Sequence, residues 1–320
     1  MSQTDDITAM LSADHESSTH AARKQFAMRV SIAAAVILTV SKLAIFSLTG
    51  SMAVLSEAAN SVTDLMASLI TLLAIRRAAT PPDARHRYGH EKLENIAAAI
   101  EGLLILTAIG WIIWNSVQRL RFGSEVELPL VAAAVMMASA VINALVARFL
   151  YRVGRETDSP AVAADGHHLM TDVYTSFGAG AGLVMVALTG ASWLDPLVAL
   201  AVSFLVVRIG ALLVIDALRV LADEGLPPEE ITRIHEVIEQ GFEGVTGYHR
   251  LRTRRAGSRR HVDLHLTLDG NLPLWRAHEI ADNVEAAIVR ELPNADVLTH
   301  IEPDSAAPPP GVDLGPGDRR

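Results

Sequence analysis

Hydrophobic residues are concentrated in six long segments, and polar residues lie mainly in the short stretches between them. The segments cover residues 28–48, 52–75, 93–118, 128–150, 164–189 and 194–221. Each has at least the length of about 20 residues that a helix needs to cross a bilayer. The pattern therefore predicts an α-helical membrane protein with six transmembrane helices.

Beyond Gly225 the pattern changes to one typical of a soluble domain. It predicts helix, strand, strand, helix and strand over residues 228–240, 248–254, 260–268, 274–292 and 296–302. The second strand alternates, with apolar residues on one face and His261, Asp263, His265 and Thr267 on the other. The α-β-β-α-β order predicts a small α+β domain in which helices cover one face of a sheet.

These patterns predict four regions. They are a disordered cytoplasmic N-terminal segment (1–27), a transmembrane transport domain (28–222), a cytoplasmic domain (223–304) and a disordered tail (305–320). An even number of spans leaves both termini on one side of the membrane. Lys and Arg are frequent before the first span and in alternate loops, so the positive-inside rule predicts that both termini are cytoplasmic.

Composition narrows the candidate chemistry. The chain has 320 residues, no cysteine, a mean hydropathy of +0.30 and a formal charge of -9. The negative charge does not favour binding to nucleic acid. Without cysteine there are no disulfides and no thiolate ligands, so histidine, carboxylate or amide groups must hold any metal ion.

Two pairs of polar residues with metal-binding capacity lie inside predicted spans. Asn60 and Asp64 share one helix face at i, i+4, and so do His168 and Asp172. Ionisable groups are costly within a bilayer, and they usually face a cavity or an ion pathway. If the two faces meet, four N and O ligands converge in a set that suits a divalent transition metal.

The chain resembles the cation diffusion facilitator family over about residues 28–303. The resemblance rests on the motifs LTGSMAVLSEAANSVTDLMASL, PPDARHRYGHEKLENIAA and DGHHLMTDVYTS, followed by the α-β-β-α-β domain. It implies a six-helix homodimer with a ferredoxin-like cytoplasmic domain. It also implies a secondary active transporter, not an enzyme, that exports divalent transition metals in exchange for protons.

The resemblance also assigns residues to sites. The transport site comprises Asn60, Asp64, His168 and Asp172, and Asn60 stands where the family commonly has Asp or His. The other implied groups are a loop metal site of Asp83, His86 and His90, a cytoplasmic metal site of His249, His265, His278, His300 and Glu302, and an interlock between Lys92 and Asp223. His235 and His261 match no site, and we expect them at the surface.

Glu57 shares a stripe of the second span with Asn60 and Asp64. We expect it about 5 Å outward of Asn60, where it is a candidate auxiliary ligand or proton acceptor, and the alternative is an interfacial glutamate. Glu101 in the third span is a weaker candidate of the same kind. The roles of both residues stay open at this point.

The expected substrate is Zn²⁺ or another divalent transition metal such as Fe²⁺, Mn²⁺, Co²⁺ or Ni²⁺, which also serves as a regulatory ligand, with no organic cofactor. The expected partners are the lipid bilayer, protons and a second copy of the chain, and the expected location is the bacterial cytoplasmic (inner) membrane. The main alternative is a membrane-bound metal sensor without transport. An intramembrane metalloenzyme and a passive channel are further alternatives, although the chain has no HExxH motif.

Overall fold

A computed structural model describes residues 3–49, 52–122 and 129–304 of the protein. Within these ranges, the side chains of some helical residues lie outside the description: 3–18, 49, 52–57, 59, 60, 63, 129, 131, 132, 183 and 195. The chain divides into two compact units, Met1–Leu218 and Arg219–Arg320. Each unit has its own hydrophobic core.

Six long helices come first along the chain. They are α1 (Gln3–Thr49), α2 (Met52–Ala78), α3 (Lys92–Phe122), α4 (Pro129–Glu156), α5 (Pro160–Thr189) and α6 (Leu194–Leu221). Among the described residues, all but α2 contain a segment long and apolar enough to cross a membrane. Helix α2 has 27 residues, which also suffices to span a bilayer, but many side chains of its first half lie outside the description.

The helices carry their large apolar side chains outward as well as inward. Val40, Leu43, Trp111, Leu145 and Phe204 are all exposed in the protein. So many large exposed apolar side chains are unusual on a soluble monomer and are typical of contact with lipid. The outer surface therefore agrees with the predicted helical transmembrane region.

Helix α1 begins at Gln3, whereas the sequence led us to expect disorder over residues 1–27. The segment from Gln3 to Thr49 contains neither proline nor glycine, the two residues that most disfavour a helix interior. Its polar composition suggested disorder, but nothing in it interrupts the helix that forms the first span.

Helix α5 has defined ends, and these fix the position of its polar residues. The Ser159 side chain accepts a hydrogen bond from the backbone N–H of Val162, and Pro160 occupies the first turn. At the other end, Gly190 adopts φ 70°, a left-handed conformation that suits glycine at a helix terminus. His168 consequently lies about 12 Å along the helix from its first residue.

Apolar contacts hold α5 among its neighbours. Met28 of α1, Leu72 of α2, Leu150 of α4 and Val162 of α5 belong to one buried cluster. Glycine allows close approach on α5, since a Cβ at Gly178 would lie 2.5 Å from the Val202 side chain of α6. This packing brings the polar face of α5 against α2.

The second unit contains α7 (Pro228–Glu239), β1 (Val245–Ala256), β2 (Arg259–Leu268), α8 (Leu274–Glu291) and β3 (Ala295–Pro303). The sheet order is β1-β2-β3, with β1 antiparallel and β3 parallel to β2. Val262, Leu264, Leu266 and Leu268 of β2 are buried in one core with apolar residues of α7 and α8. The predicted fold, a helical membrane region followed by a small α+β domain, is confirmed.

Candidate metal centres

Three ionisable side chains meet between α2 and α5. Asp64 of α2 and His168 and Asp172 of α5 each offer a ligand atom, and these atoms all lie within 4.8 Å of one another. All three residues are buried, with exposures of 5%, 4% and 8%. The two helix faces predicted from sequence therefore meet, and they bring together two carboxylates and one imidazole.

His168 is the central member of this group. Its Nε2 lies 3.2 Å from Oδ1 of Asp64 and 4.0 Å from Oδ2 of Asp172. A hydrogen bond between Nε2 and Asp64 needs a proton between the two atoms, whereas a metal ion needs the lone pair of Nε2. A proton and a metal ion thus compete for the same atom.

Two residues that were predicted to belong to this group have side chains outside the described part of the chain. The side chains of Asn60 and Glu57 lie outside the described residues, although both belong to the backbone of α2. Their roles as fourth ligand and auxiliary carboxylate therefore stay predictions.

The structure shows two more buried carboxylates near this group. Asp165 is 0% exposed, and its two oxygens accept hydrogen bonds from Ser31 at 2.6 Å and Ser68 at 2.9 Å. Glu101 is also 0% exposed and accepts a hydrogen bond from Thr71. Glu101 was only a weak candidate from the sequence, and Asp165 was not predicted. The i, i+3 spacing of Asp165 and His168 was the signal that could have found it.

The loop between α2 and α3 brings together Asp83, His86 and His90 as predicted, with ligand atoms within 4.8 Å of one another. Oδ1 of Asp83 accepts hydrogen bonds from the backbone N–H groups of His86 and Arg85 at 2.7 and 2.8 Å. These bonds, His86 first, lower the pKa of Asp83 to about 2, so this carboxylate is ionised at neutral pH. The buried Nε2 of His90 makes no hydrogen bond within the described residues and lies 3.4 Å from Oδ2 of Asp83.

Three histidines lie side by side across the sheet of the second unit. His249 of β1 pairs with His265 of β2, which in turn pairs with His300 of β3. Directly paired residues on neighbouring strands point to the same face of a sheet. The rings of His265 and its two neighbours are accordingly 5.1 and 4.7 Å apart, centre to centre.

Glu302 joins this row from two residues further along β3. Its carboxylate lies 2.8 Å from Nδ1 of His265, 3.2 Å from Nε2 of His249 and 3.6 Å from Nε2 of His300. Burial alone would raise the pKa of Glu302, but the hydrogen bond from His265 and the nearby imidazoles hold it below its ordinary value. His249, His265 and Glu302 have ligand atoms close enough to hold one metal ion.

His278 does not join this cluster in the structure. It lies on α8, is largely exposed, and has Nδ1 3.8 Å from Oδ1 of Asp282. The sheet face that carries the histidines is opposite the face that packs on the helices, because Leu264 and Leu266 contact the helical core. His278, on the exposed surface of α8, is therefore separated from the histidine row of the same chain.

The expectation that His261 lies at the surface was wrong. It is 6% exposed, because it lies on the central strand with Arg254 and Asp296 directly beside it. Its Nδ1 is 3.3 Å from Oδ2 of Asp296. His235 is partly buried, and its Nδ1 lies 2.5 Å from the hydroxyl of Tyr248.

The interlock predicted between Lys92 and Asp223 joins residues of different units and stays a prediction. Within the second unit, Oδ1 of Asp223 lies 3.4 Å from Nη1 of Arg254. Asp223 also has φ 59°, a left-handed conformation just after the end of α6.

Two family models match the chain. One describes the cation efflux transmembrane domain and matches residues 28–222. The other describes the cytoplasmic domain of cation efflux proteins and matches residues 226–304. The two matches together cover the six predicted spans and the α+β domain.

Curated relatives match over most of their length. The uncharacterised transporter sll1263 of Synechocystis is 34% identical over 274 residues, which cover 86% of this chain and 88% of the relative. The cation-efflux pump FieF of Pectobacterium atrosepticum is 36% identical over 278 residues, which cover 86% of this chain and 91% of that pump. A solved structure of the putative zinc transporter CzrB is 37% identical and covers 25% of this chain and 99% of its own, with a TM-score of 0.24.

Proposed function

The chain belongs to the cation diffusion facilitator family of metal transporters, and from this premise we propose that it exports a divalent transition metal from the cytoplasm in exchange for protons. As a cation efflux transporter it is an integral, multi-pass membrane protein, not an enzyme. The observation that carries the proposal is the buried group of Asp64, His168 and Asp172 between two membrane helices.

The charge of this group suits a dication. Two carboxylates and a neutral imidazole balance a charge of +2, which lowers the cost of holding the ion in a low-dielectric interior. An imidazole ligand disfavours Mg²⁺ and Ca²⁺, which prefer oxygen ligands only. We propose Zn²⁺ as the first candidate, followed by Fe²⁺, Mn²⁺, Co²⁺ and Ni²⁺, with Asn60 as the fourth ligand.

Competition between a proton and the metal ion for Nε2 of His168 couples metal export to proton uptake. Metal binding requires the Nε2 lone pair, so a proton held between Nε2 and Asp64 must leave. When the metal departs to the outside, the carboxylates of Asp64 and Asp172 are left close together without a counter-ion. Their mutual repulsion favours uptake of a proton, and the inward proton gradient then drives export of the metal.

The direction of transport follows from the topology that we propose. Lys and Arg residues flank the spans on the side of both termini, which supports a cytoplasmic location for that side in a bacterial inner membrane. Helix groups would rock around the fixed site and expose it to the two sides in turn. The Asp83–His86–His90 group then lies on the cytoplasmic side as a second candidate metal site.

The histidine row of the second unit is proposed as a regulatory site. His249, His265 and Glu302 would bind cytoplasmic metal, and binding would favour one arrangement of the two cytoplasmic domains in a homodimer. This coupling requires two distinct sites and two states of the dimer with different metal affinity. The cytoplasmic-domain family match supports assembly through this region.

Transport in proteoliposomes tests the proposal. We expect metal uptake under an imposed pH gradient from a panel of Zn²⁺, Fe²⁺, Mn²⁺, Co²⁺, Ni²⁺ and Cd²⁺, and we expect Asp64→Ala to abolish it. Asp282→Ala, an exposed site on α8, is the matched control and should transport normally. Metal binding without flux of any metal would refute export and favour a membrane-bound sensor.

A further inference from the structure

Two buried carboxylates take no part in the metal site, yet both lie beside it. Asp165 precedes His168 by three residues on α5, a distance of about 4.5 Å along the helix. Thr71, which holds Glu101, follows Asp64 by seven residues on α2, about 10 Å along that helix. Because α5 and α2 run in opposite directions through the membrane, both carboxylates lie on the same side of the metal site, the side that the proposed topology places toward the cytoplasm.

Asp165 is well supplied with hydrogen-bond donors. Ser31 of α1 and Ser68 of α2 each donate to a different oxygen of its carboxylate. The two hydroxyl oxygens are 3.1 Å apart, so they form a continuous polar group around Asp165. Each oxygen of this carboxylate therefore has a hydrogen-bond donor.

Glu101 is supplied much less well. Thr71 donates to Oε1, whereas Oε2 is buried and makes no hydrogen bond within the described residues. A buried carboxylate with a bare oxygen is costly when it is charged, and a proton on that oxygen removes the charge. The geometry therefore favours Glu101 as a neutral acid that carries a proton on Oε2.

The surroundings of Glu101 link it to the metal site by charge. On α5, Asp165 and His168 are close enough to interact with it electrostatically, and Asp64 of α2 interacts in turn with Asp165. On the other side of α3, helix α6 contributes apolar residues such as Val206 and Leu213 to the contact. The electrostatic influence on Glu101 thus comes mainly from the direction of the metal site.

We propose that Glu101 is a second proton-binding site of the transporter and that it exchanges its proton in response to the charge at the metal site. A dication at Asp64, His168 and Asp172 attracts negative charge, so the O–H bond of Glu101 breaks, the carboxylate remains and the proton passes to cytoplasmic water. After the metal leaves, a proton that enters through the vacated site returns by way of Asp165 and the hydroxyls of Ser68 and Thr71.

This inference rests on the proposed proton-coupled export, and it adds a carrier of the proton that is not a metal ligand. The expected consequence is thermodynamic linkage. If metal binding displaces a proton from Glu101, removal of that proton site lowers the number of protons released per metal bound by about one. It leaves the ligand atoms for the metal in place.

The test is the release of protons on metal binding. Purified full-length protein in weakly buffered detergent solution is titrated with Zn²⁺ at several pH values, and the acidification is measured beside the binding isotherm. We expect Glu101→Gln to bind Zn²⁺ with the stoichiometry of the parent but to release about one proton fewer per ion. Glu101→Asp should restore the release, and Glu236→Gln, at an exposed position on α7, should match the parent.

The outcomes separate the two proposals. Equal proton release by the parent and Glu101→Gln would overturn the role of Glu101 and leave proton-coupled export standing. Loss of Zn²⁺ binding in a folded Glu101→Gln protein would also overturn it, because Glu101 would then belong to the metal site. Absence of proton release from the parent itself would count against the proposed exchange of metal for protons. Thermal unfolding of each variant shows whether it is folded, and Glu101→Ala, which also lacks the carboxyl group, takes the place of Glu101→Gln if that variant is unfolded.

Discussion

Substitution of His265 by alanine should remove metal-dependent stabilisation of the α+β unit. His265 is the middle histidine of the row across the sheet, and its Nδ1 lies 2.8 Å from Glu302. Of the three residues whose ligand atoms lie within 4.8 Å of one another, only His249 and Glu302 then remain, which is too few ligands for a tightly held transition metal. The hydrophobic core should be unaffected, since Leu264 and Leu266 lie on the opposite face of the sheet from His265.

The expected rise in melting temperature follows from the free energy of metal binding and from the size of the domain. A metal ion at 100 times its dissociation constant adds about 2.7 kcal/mol to the stability of the folded state. For a domain of the length of residues 226–304, each kcal/mol raises the melting temperature by about 4 to 8 °C. Saturating Zn²⁺ should therefore raise the melting temperature by roughly 11 to 22 °C, and His265→Ala should remove most of this rise.

The assay is thermal unfolding of a fragment of residues 219–304, followed by circular dichroism with and without Zn²⁺ at one fixed protein concentration. His278→Ala is the matched control, because this exposed histidine on α8 lies outside the row. It should keep the full metal-dependent rise. If His265→Ala kept the rise, or His278→Ala lost it, our assignment of the ligands within one chain would be refuted.

Two further predictions concern stability and the loop site. Nε and Nη2 of Arg260 each donate a 2.9 Å hydrogen bond to Glu230, and both side chains are largely buried, so Glu230→Gln should cost about 2 kcal/mol in urea unfolding. Burial alone would raise the pKa of Glu230, but Arg260, Arg255 and Arg233 hold this pKa below its ordinary value of 4.5. The advantage of Glu230 over Gln should be fully present above pH 4.5 and lost as the pH falls through the lowered pKa of Glu230. An advantage that grows as the pH falls below 4.5 would contradict this sign. In the loop, Asp83→Asn should reduce the Zn²⁺ bound per chain at pH 7 by about one ion in calorimetric titration, and unchanged stoichiometry would refute the loop site.

The sequence pattern predicted the elements well because they depend on local periodicity. The six apolar segments match six helices, and alternation along β2 identified the buried stripe from Val262 to Leu268. The i, i+4 spacing of His168 and Asp172 likewise fixed which helix face they share, and Asp64 meets them there.

The misses depend on contacts between elements, which a single sequence does not display. His261 was assigned to the polar face of β2 correctly, but its burial comes from neighbours on β1 and β3. Asp165 was missed because its partners Ser31 and Ser68 lie on two other helices and carry no pattern of their own. His278 was grouped with the histidine row by resemblance, whereas α8 carries it on an exposed surface.

The most direct test of coupled transport measures metal entry and proton exit together in the same proteoliposomes. Protein is reconstituted with Zn²⁺ outside and with indicators for Zn²⁺ and for pH inside. We predict that Zn²⁺ entry is accompanied by loss of protons from the lumen, and that Asp64→Asn abolishes both signals. Zn²⁺ entry without proton movement, or proton-coupled entry that survives Asp64→Asn, would contradict coupled transport through the Asp64–His168–Asp172 site.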